Sequence, residues 1–486
     1  MRRSIGVTVL LTLAGCAVGP KYERPAVQVP KDFRVEVPSA EATSAADVAW
    51  WELFKDPVLD GLIREALASN QDLVGATARV EQARALAGVA QADFWPQIGL
   101  DLGGQYGQLM SKNAQTQLGV VPRGPAPSYA GALGLSWEID IWGKVRNAST
   151  AAVADLMASE DARRGVLITL VAEVATAYIE LREYDRQLEI ALKNTALRQE
   201  TLDLFVTRTQ GGVGNNLEVD RARANLAVTA AAIPATRRMV VLKENQLSAL
   251  LGRPPGPIAR SDSKGLPSSP AMPPGAPAAL LERRPDVLAA EQKAIAANAR
   301  VGVAIANRLP SLSLSGIIGL ASPNIGNIFS ANSLVWTVGG SIFQPLFEGF
   351  RLSSEQEAAV ARYAEAVASY KQAVITAFRE VSDTAVSVKE FGDVRQEKEK
   401  EVAALLDAEE LALLRFQTGI STYLEVIDAQ RSAFQAELEL AQAVRDELVS
   451  AVLLYRALGG GWQAPLPPKD GDSKKAASEV RPAGAG

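Results

Sequence analysis

Two kinds of hydrophobic spacing divide the 486-residue chain between them. In four segments, apolar and polar side chains alternate strictly over about ten positions, the period of a strand with two unlike faces. Ile98, Leu100, Leu102 and Tyr106 stand opposite Gln97, Asp101 and Gln105. Tyr129, Leu133, Leu135, Trp137 and Ile139 stand opposite Ala130, Ser136, Glu138 and Asp140. Leu312, Leu314, Ile318 and Leu320 oppose Ser311, Ser313 and Ser315, and Leu334, Trp336, Val338 and Ile342 oppose Ser333, Thr337 and Ser341. The predicted strands are 96–107, 129–141, 310–320 and 333–346. About ten residues is the length of a tilted membrane-spanning strand. Trp95, Trp137, Trp142 and Trp336 lie in or beside these segments, where an interfacial aromatic girdle would sit. Half-buried strands of a soluble sheet alternate in the same way, so the pattern leaves both readings open.

Elsewhere the period is helical and long. Between Asn147 and Gln210 there is no Pro and a single Gly, Gly165. Leu167, Val171, Val174, Tyr178, Leu181, Leu188 and Leu192 follow a coiled-coil spacing broken once, at Asp185. Val360, Tyr363, Val367, Tyr370, Val374, Ala377 and Val381 keep the same spacing without a break. An uninterrupted helix of about 60 residues would be roughly 90 Å long. Each ends at a Gly-containing phrase, "RTQGGVGNNLEVDRARA" from Arg208 and "RFQTGISTYLEVIDAQR" from Arg415, where glycine permits a sharp reversal. A second helix then returns, to about Leu251 or Leu458. The two phrases are predicted to be the tips of two long helical hairpins.

The phrases also reveal a repeat. Leu217 aligns with Leu424 at an offset of 207, which also pairs Arg208 with Arg415, Gly212 with Gly419 and Ala222 with Ala429. "DIWGKVR" from Asp140 matches "PLFEGFR" from Pro345 at 205, and "ADFWPQIGL" matches "ANRLPSLSL" at 214. The expected organisation is a signal peptide (1–15), an extended segment (16–56), a first repeat (57–252), a Pro/Gly/Ser-rich linker (253–277), a second repeat (278–460) and a disordered tail (461–486).

Composition narrows the function. The net charge is −5, which gives no basic face for nucleic acid. There is no His, so the commonest general base and metal ligand are missing and an enzyme is disfavoured; no metal site or cofactor is expected. The one Cys is Cys16, at the end of "MRRSIGVTVLLTLAGC". A basic start and an apolar run mark a secretory signal. The "LAGC" ending resembles a bacterial lipobox, which makes Cys16 the expected lipidation site; an ordinary signal peptide with an incidental Cys is the alternative. No later stretch has eighteen consecutive apolar residues, so no transmembrane helix is expected after the signal. Four strands cannot close a membrane barrel, and an open edge in hydrocarbon leaves backbone groups unpaired. Several copies must therefore share one wall. Two copies give eight strands, whose interior side chains fill, and three give twelve, which leave a passage.

With these parts in place, "CAVGPKYERP", "WWELFKDPVLDGLIREALASNQDL", "ERRPDVLAAE", "RLPSLSLSG" and "RFQTGISTYLEVIDAQRS" carry a resemblance over residues 16–460. The chain resembles the TolC-like outer-membrane factor family, in the lipoprotein branch serving RND-type tripartite efflux. The resemblance implies a mainly α protein with a membrane β-barrel. The assembly would be a homotrimer with a twelve-stranded barrel, four strands per chain, continued by a periplasmic α-helical coiled-coil barrel. Implied partners are a periplasmic adaptor protein, an inner-membrane RND-type pump and outer-membrane lipids.

At the periplasmic aperture the resemblance assigns Leu424, which narrows by size, and Glu425 and Asp428, which form acidic rings. Arg221, the first-repeat counterpart of Asp428, would oppose them. An ordinary solvated helix face, with Asp428 paired to Arg431, is the plainer alternative. Adaptor contact falls to Gly211, Gly212, Val213 and Gly214 on one tip and Gly419, Ile420 and Ser421 on the other. Ser421 departs from relatives with a basic locking residue there. The expected function is a passive exit duct for small molecules; a type I protein-secretion duct and a non-conducting envelope scaffold are the alternatives.

Overall fold

A computed structural model describes residues 17–28, 49–107, 117, 124–261 and 283–460. Cys16, the signal peptide, most of the linker and the tail lie outside these residues. The elements run α1 (Pro57–Ser69), α2 (Gln71–Ala92), β1 (Gln97–Gly107), β2 (Ala126–Ile139), α3 (Lys144–Gln210), α4 (Asn216–Leu250), α5 (Pro285–Ala306), β3 (Ser311–Ser322), β4 (Leu334–Phe343), α6 (Arg351–Gln417) and α7 (Tyr423–Ala457). A short 3-10 turn, Trp50–Phe54, precedes α1. No described helix is long and apolar enough to cross a membrane.

The repeat is closer than the sequence matches suggest. α2 and α5 are both 22 residues, α3 and α6 both 67, and α4 and α7 both 35. The helix starts Lys144 and Arg351 are 207 apart, the offset of the tips, so the match of "DIWGKVR" to "PLFEGFR" at 205 is slipped by two. Backbone conformation shows where the true equivalence lies. Gly143 and Phe350, 207 apart, both take left-handed angles, φ +78° and +66°, at the step into the long helix. Sequence identity at Arg146 and Arg351 had hidden this.

The chain divides into two compact units. One comprises Met1–Ala26, Arg79–Ser159 and Ala289–Lys371. It holds the sheet, four antiparallel strands in the order β1-β2-β3-β4. β1 and β4 are therefore both edges, each paired on one side alone. On the predicted membrane face Leu102, Tyr106, Trp336 and Ile342 of the edge strands are exposed, while Leu135, Trp137, Leu314 and Leu320 of the inner strands are half-buried. Alanines 151, 154, 296 and 299 form a small buried cluster, the close packing that side chains without bulk allow.

An extended strap, residues 17–26, lies along this unit. Val18 N–H donates to the Trp142 carbonyl (2.9 Å), and the Asn147 amide donates to the Val18 carbonyl (3.0 Å). The Asn298 amide donates to the Pro20 carbonyl (2.8 Å), and Arg24 grips the mostly buried Glu291 carboxylate with both arms. The approach is close enough that a Cβ on Gly19 would lie 2.7 Å from Gly302 Cα, and one on Gly143 would collide with Ala17.

The other unit comprises Val27–Ala78, Glu160–Leu288 and Gln372–Gly486. Its main core joins Trp50, Trp51 and Phe54 to α1, the middle of α3, the end of α4 and the last turns of α7. Trp50 stacks on Tyr455 with ring centroids 5.4 Å apart. Asp56 caps α1 by accepting from Val58 N–H (2.9 Å) and Leu59 N–H (3.2 Å), with Pro57 in the first turn where no N–H is needed. Both returning helices end on a left-handed glycine, Gly252 (φ +71°) and Gly459 (φ +74°). There Arg253 N–H reaches Ser248 O, and Gly460 N–H reaches Tyr455 O. The break at Asp185 also has a partner: Arg260 pairs with Asp185 (3.1 Å) and Glu244, while Ile258 beside it enters the core.

Candidate functional site

Both tips use one backbone. α3 ends with Gly212 at φ +78° and α6 with Gly419 at the same angle. Val213 N–H donates back to Arg208 O (3.0 Å), and Ile420 N–H to Arg415 O (2.9 Å), so each helix end closes in the same way. The side chains differ. A Cβ on Gly214 would fall 2.6 Å from Thr209 Oγ1; its counterpart is Ser421, whose Oγ is enclosed with no hydrogen-bond partner. Asn215 caps α4 by accepting from Glu218 N–H (3.0 Å), whereas Thr422 makes no side-chain cap. Gly211, Gly212, Val213, Gly419 and Ile420 are exposed, while Gly214 and Ser421 are half-buried.

A small apolar core underlies the tips and joins the two hairpins. Phe205, Leu202, Val219, Ala222, Tyr423 and Val426 are buried together. Phe205 packs on Tyr423 (4.1 Å between centroids) and on Phe416 (5.6 Å). Val219 and Val426 are equivalent in the repeat, so the two hairpins meet through like positions.

The candidate aperture residues stand just beyond this core. Leu424 is 55% exposed, and Glu425, Asp428 and Arg221 lie in solvent. Asp428 pairs with Arg431 on its own helix (3.1 Å), as the plainer alternative anticipates, rather than with Arg221. Glu425 stands 3.9 Å from Arg415. Exposed pairs of this kind contribute little stability and leave the carboxylates available to other charges. Within one chain, Leu424, Glu425 and Asp428 occupy one turn of α7, and Arg221 sits on the other hairpin.

Sequence reasoning missed a buried polar layer behind the tips. Arg198 is only 2% exposed; its guanidinium donates to Asn225 O (3.0 Å) and Gln430 O (3.2 Å) and lies over the Phe434 ring (5.2 Å). One residue of the first hairpin thus ties down backbone from both hairpins. Asn225 donates to Gln430 Oε1 (3.0 Å), and Asn194 donates to Glu437 (3.0 Å). Burial pushes the Glu409 carboxyl above its ordinary range, helped by nearby Glu437 and opposed by Arg198, and burial lowers Arg198 itself. The signal was a shifted seam. The buried line runs Ile190, Asn194, Arg198, Leu202, Phe205, whereas the predicted seam continued through Leu188 and Leu192, of which Leu192 is exposed.

Among the described residues no group of three or more His, Cys, Asp or Glu is placed to hold a metal ion.

Comparison with known proteins places this architecture. The outer membrane efflux protein family matches residues 62–253 and 276–460, one block in each repeat. The chain is 32% identical over 464 residues to the cation efflux system protein CusC of Escherichia coli O6:H1, covering 94% of this chain and 98% of the relative. It is also 32% identical over 466 residues to the toluene efflux pump outer membrane protein TtgC of Pseudomonas putida, covering 94% and 95%. The solved outer-membrane channel OprN superposes with a TM-score of 0.85 at 31% identity, over 92% of this chain and all of that one. Two edges on a four-stranded sheet, two equal hairpins and both matched blocks agree: the chain belongs to the outer membrane efflux protein family, a family of channels and not of enzymes.

Proposed function

We propose that the protein is the outer-membrane exit duct of a tripartite efflux pump, passively conducting small molecules from a periplasmic adaptor and an inner-membrane RND-type pump to the exterior. The observation that carries this reading is a four-stranded sheet with two open edges in the same chain as two long helical hairpins. Three copies would complete a twelve-stranded wall, with Cys16 anchoring each copy to the membrane by lipid. Cargo is chosen elsewhere: relatives named for cations and for toluene are equally similar to this chain.

At the mouth, Leu424, Glu425 and Asp428 of three copies converge, with Arg221 as the opposing charge, and the seven tip residues from Gly211 to Gly214 and Gly419 to Ser421 meet the adaptor. Carboxylates gathered on one axis repel one another and attract cations. The test is single-channel conductance in a planar bilayer, wild type beside Glu425→Ser/Asp428→Ser. A small, cation-preferring conductance that changes clearly in the double variant supports the aperture. A large conductance indifferent to it keeps the duct and removes this mouth; no conductance from either folded protein favours a scaffold.

A further inference from the structure

The four strands carry only two charged side chains, Asp101 on β1 and Glu138 on β2. Their surroundings are unlike. Lys144 Nζ donates to both oxygens of Glu138, at 3.1 Å each, so that carboxylate is neutralised where β2 leads into α3. Asp101 is exposed and has no hydrogen-bond or ion-pair partner among the described residues. It is the fifth of the eleven residues of β1, well inside the strand and away from both ends.

The register shows what lies around it. Asp101 pairs with Ala132, Ala132 with Gly319 and Gly319 with Val335, so the row across the sheet through Asp101 offers no donor side chain. Asp101 Oδ2 leans over β2, 3.6 Å from where a Cβ on Gly134 would stand. Leu100 and Leu102 flank it and belong to the opposite, apolar face. On its own face of β1 the nearest polar side chains, Gln97 and Gln105, are four residues away on either side, about 13 Å along the strand. Aspartate is a poor strand former, and this one returns no contact to the sheet that carries it. The fold does not account for its place.

We propose that Asp101 sets the small-ion preference of the barrel wall. Three copies of the chain place three carboxylates around the passage, on a wall otherwise lined by uncharged side chains and the neutralised Glu138. The ring favours cations independently of Glu425 and Asp428. It holds no resident ion and recognises no cargo; it acts through its potential. Fixed charges on a wall of low dielectric enrich their counter-ions, and carboxylate rings select cations in this way. The reach of that potential is about 10 Å in 0.1 M salt and about 3 Å in 1 M, so the preference weakens as salt rises. The inference rests on the shared-wall duct of the proposed function and adds a selecting residue to it.

The test uses the full-length protein carrying Glu425→Ser/Asp428→Ser, so that the mouth contributes neither carboxylate. Reversal potentials are read in a planar bilayer across a KCl gradient, after light scattering has shown each variant to be a trimer. The background protein should still prefer K+ over Cl−, more strongly near about 0.1 M than near about 1 M salt. Adding Asp101→Asn should lower the K+/Cl− permeability ratio about twofold or more. Asp101→Lys should turn the preference toward Cl−, and Asp101→Glu should keep it for K+. A residue with a merely structural role would not reverse the sign.

A background channel without cation preference would overturn the ring and leave the duct standing. Reversal potentials unchanged by Asp101→Asn and Asp101→Lys would do the same. Loss of the trimer in Asp101→Asn would assign the carboxylate to assembly and also overturn its selecting role. Absence of conductance from folded wild type and background alike would overturn the duct, and the ring with it.

Discussion

Glu183 and Glu390 occupy equivalent positions of the two long helices, 207 residues apart, yet the first is 1% exposed and the second lies in solvent beside Lys389. Arg198 is likewise buried between the hairpins, where the second repeat has half-buried Leu405. Helix lengths, tip glycines and helix ends nevertheless match residue for residue. A repeated sequence fixes the backbone twice; it does not fix what surrounds each copy. The middle of the first long helix lies in the main core, with Trp50, α1 and α7 against it, and Glu183 beside that stretch becomes internal. The second keeps its charges nearer the surface, where Arg395 pairs both along the helix with Glu399 and across to Glu447 of α7.

That difference can be broken most severely at Arg198. Arg198→Ala deletes two charge-assisted bonds to carbonyls of different hairpins and a cation–ring contact, and is expected to cost about 3 kcal/mol in urea unfolding followed by circular dichroism. Leu405→Ala, the equivalent change, should cost roughly half as much or less, because its site is half-buried and leaves no polar group orphaned. Equal losses would show that the hairpins are not used differently.

Glu183 offers a pH reading of the same contrast. Burial raises its carboxyl to about 7; neighbouring Glu180 and Asp446 add to the shift, whereas Arg445 and a bond from Gln187 oppose it. An acid raised in the folded state holds its proton while the unfolded chain has lost it. Stability should therefore fall as pH rises from about 4.5 to about 7 and level off above, by on the order of 2 to 3 kcal/mol. Glu183→Gln should flatten that slope, and Glu390→Gln should leave it unchanged.

The tips should behave alike where the backbone decides. Gly212→Val and Gly419→Val each force a β-branched residue to φ +78°, at about 2 kcal/mol apiece. A difference above about 1 kcal/mol between them would contradict the shared turn. Where charge decides, the effect on folding is smallest. Asp428→Arg should shift stability by no more than about 0.5 kcal/mol, since its pair with Arg431 is exposed, while reducing the cation preference of the channel.

Strands and hairpins were legible because each rests on a period. Alternation at Gln97–Tyr106 and an unbroken helical seam are properties of single segments, and β1 begins within one residue of its expected position. What stayed hidden depends on a second segment. Nothing local distinguishes Arg198 from a solvated helix charge; only the approach of Asn225 and Gln430 makes it internal. The tandem tryptophans at Trp50 and Trp51 read as part of a family phrase, and their role as a core anchor required Tyr455, four hundred residues on. The reversals at Gly212 and Gly419 were readable from turn chemistry. For Glu425 and Asp428 the chain shows exposure and ordinary partners, Arg415 and Arg431.

The N-terminal strap has a consequence for the order of folding. Its bonds join residues that are 129, 267 and 278 positions apart in the chain. Loop closure over such spans is costly in entropy and comes late, after local helices have formed. Residues 17–24 therefore emerge from synthesis before every other described part of the molecule and reach their final seats only once Asn298 has been made. The strap is made early and waits for a partner 278 residues downstream before it is fastened.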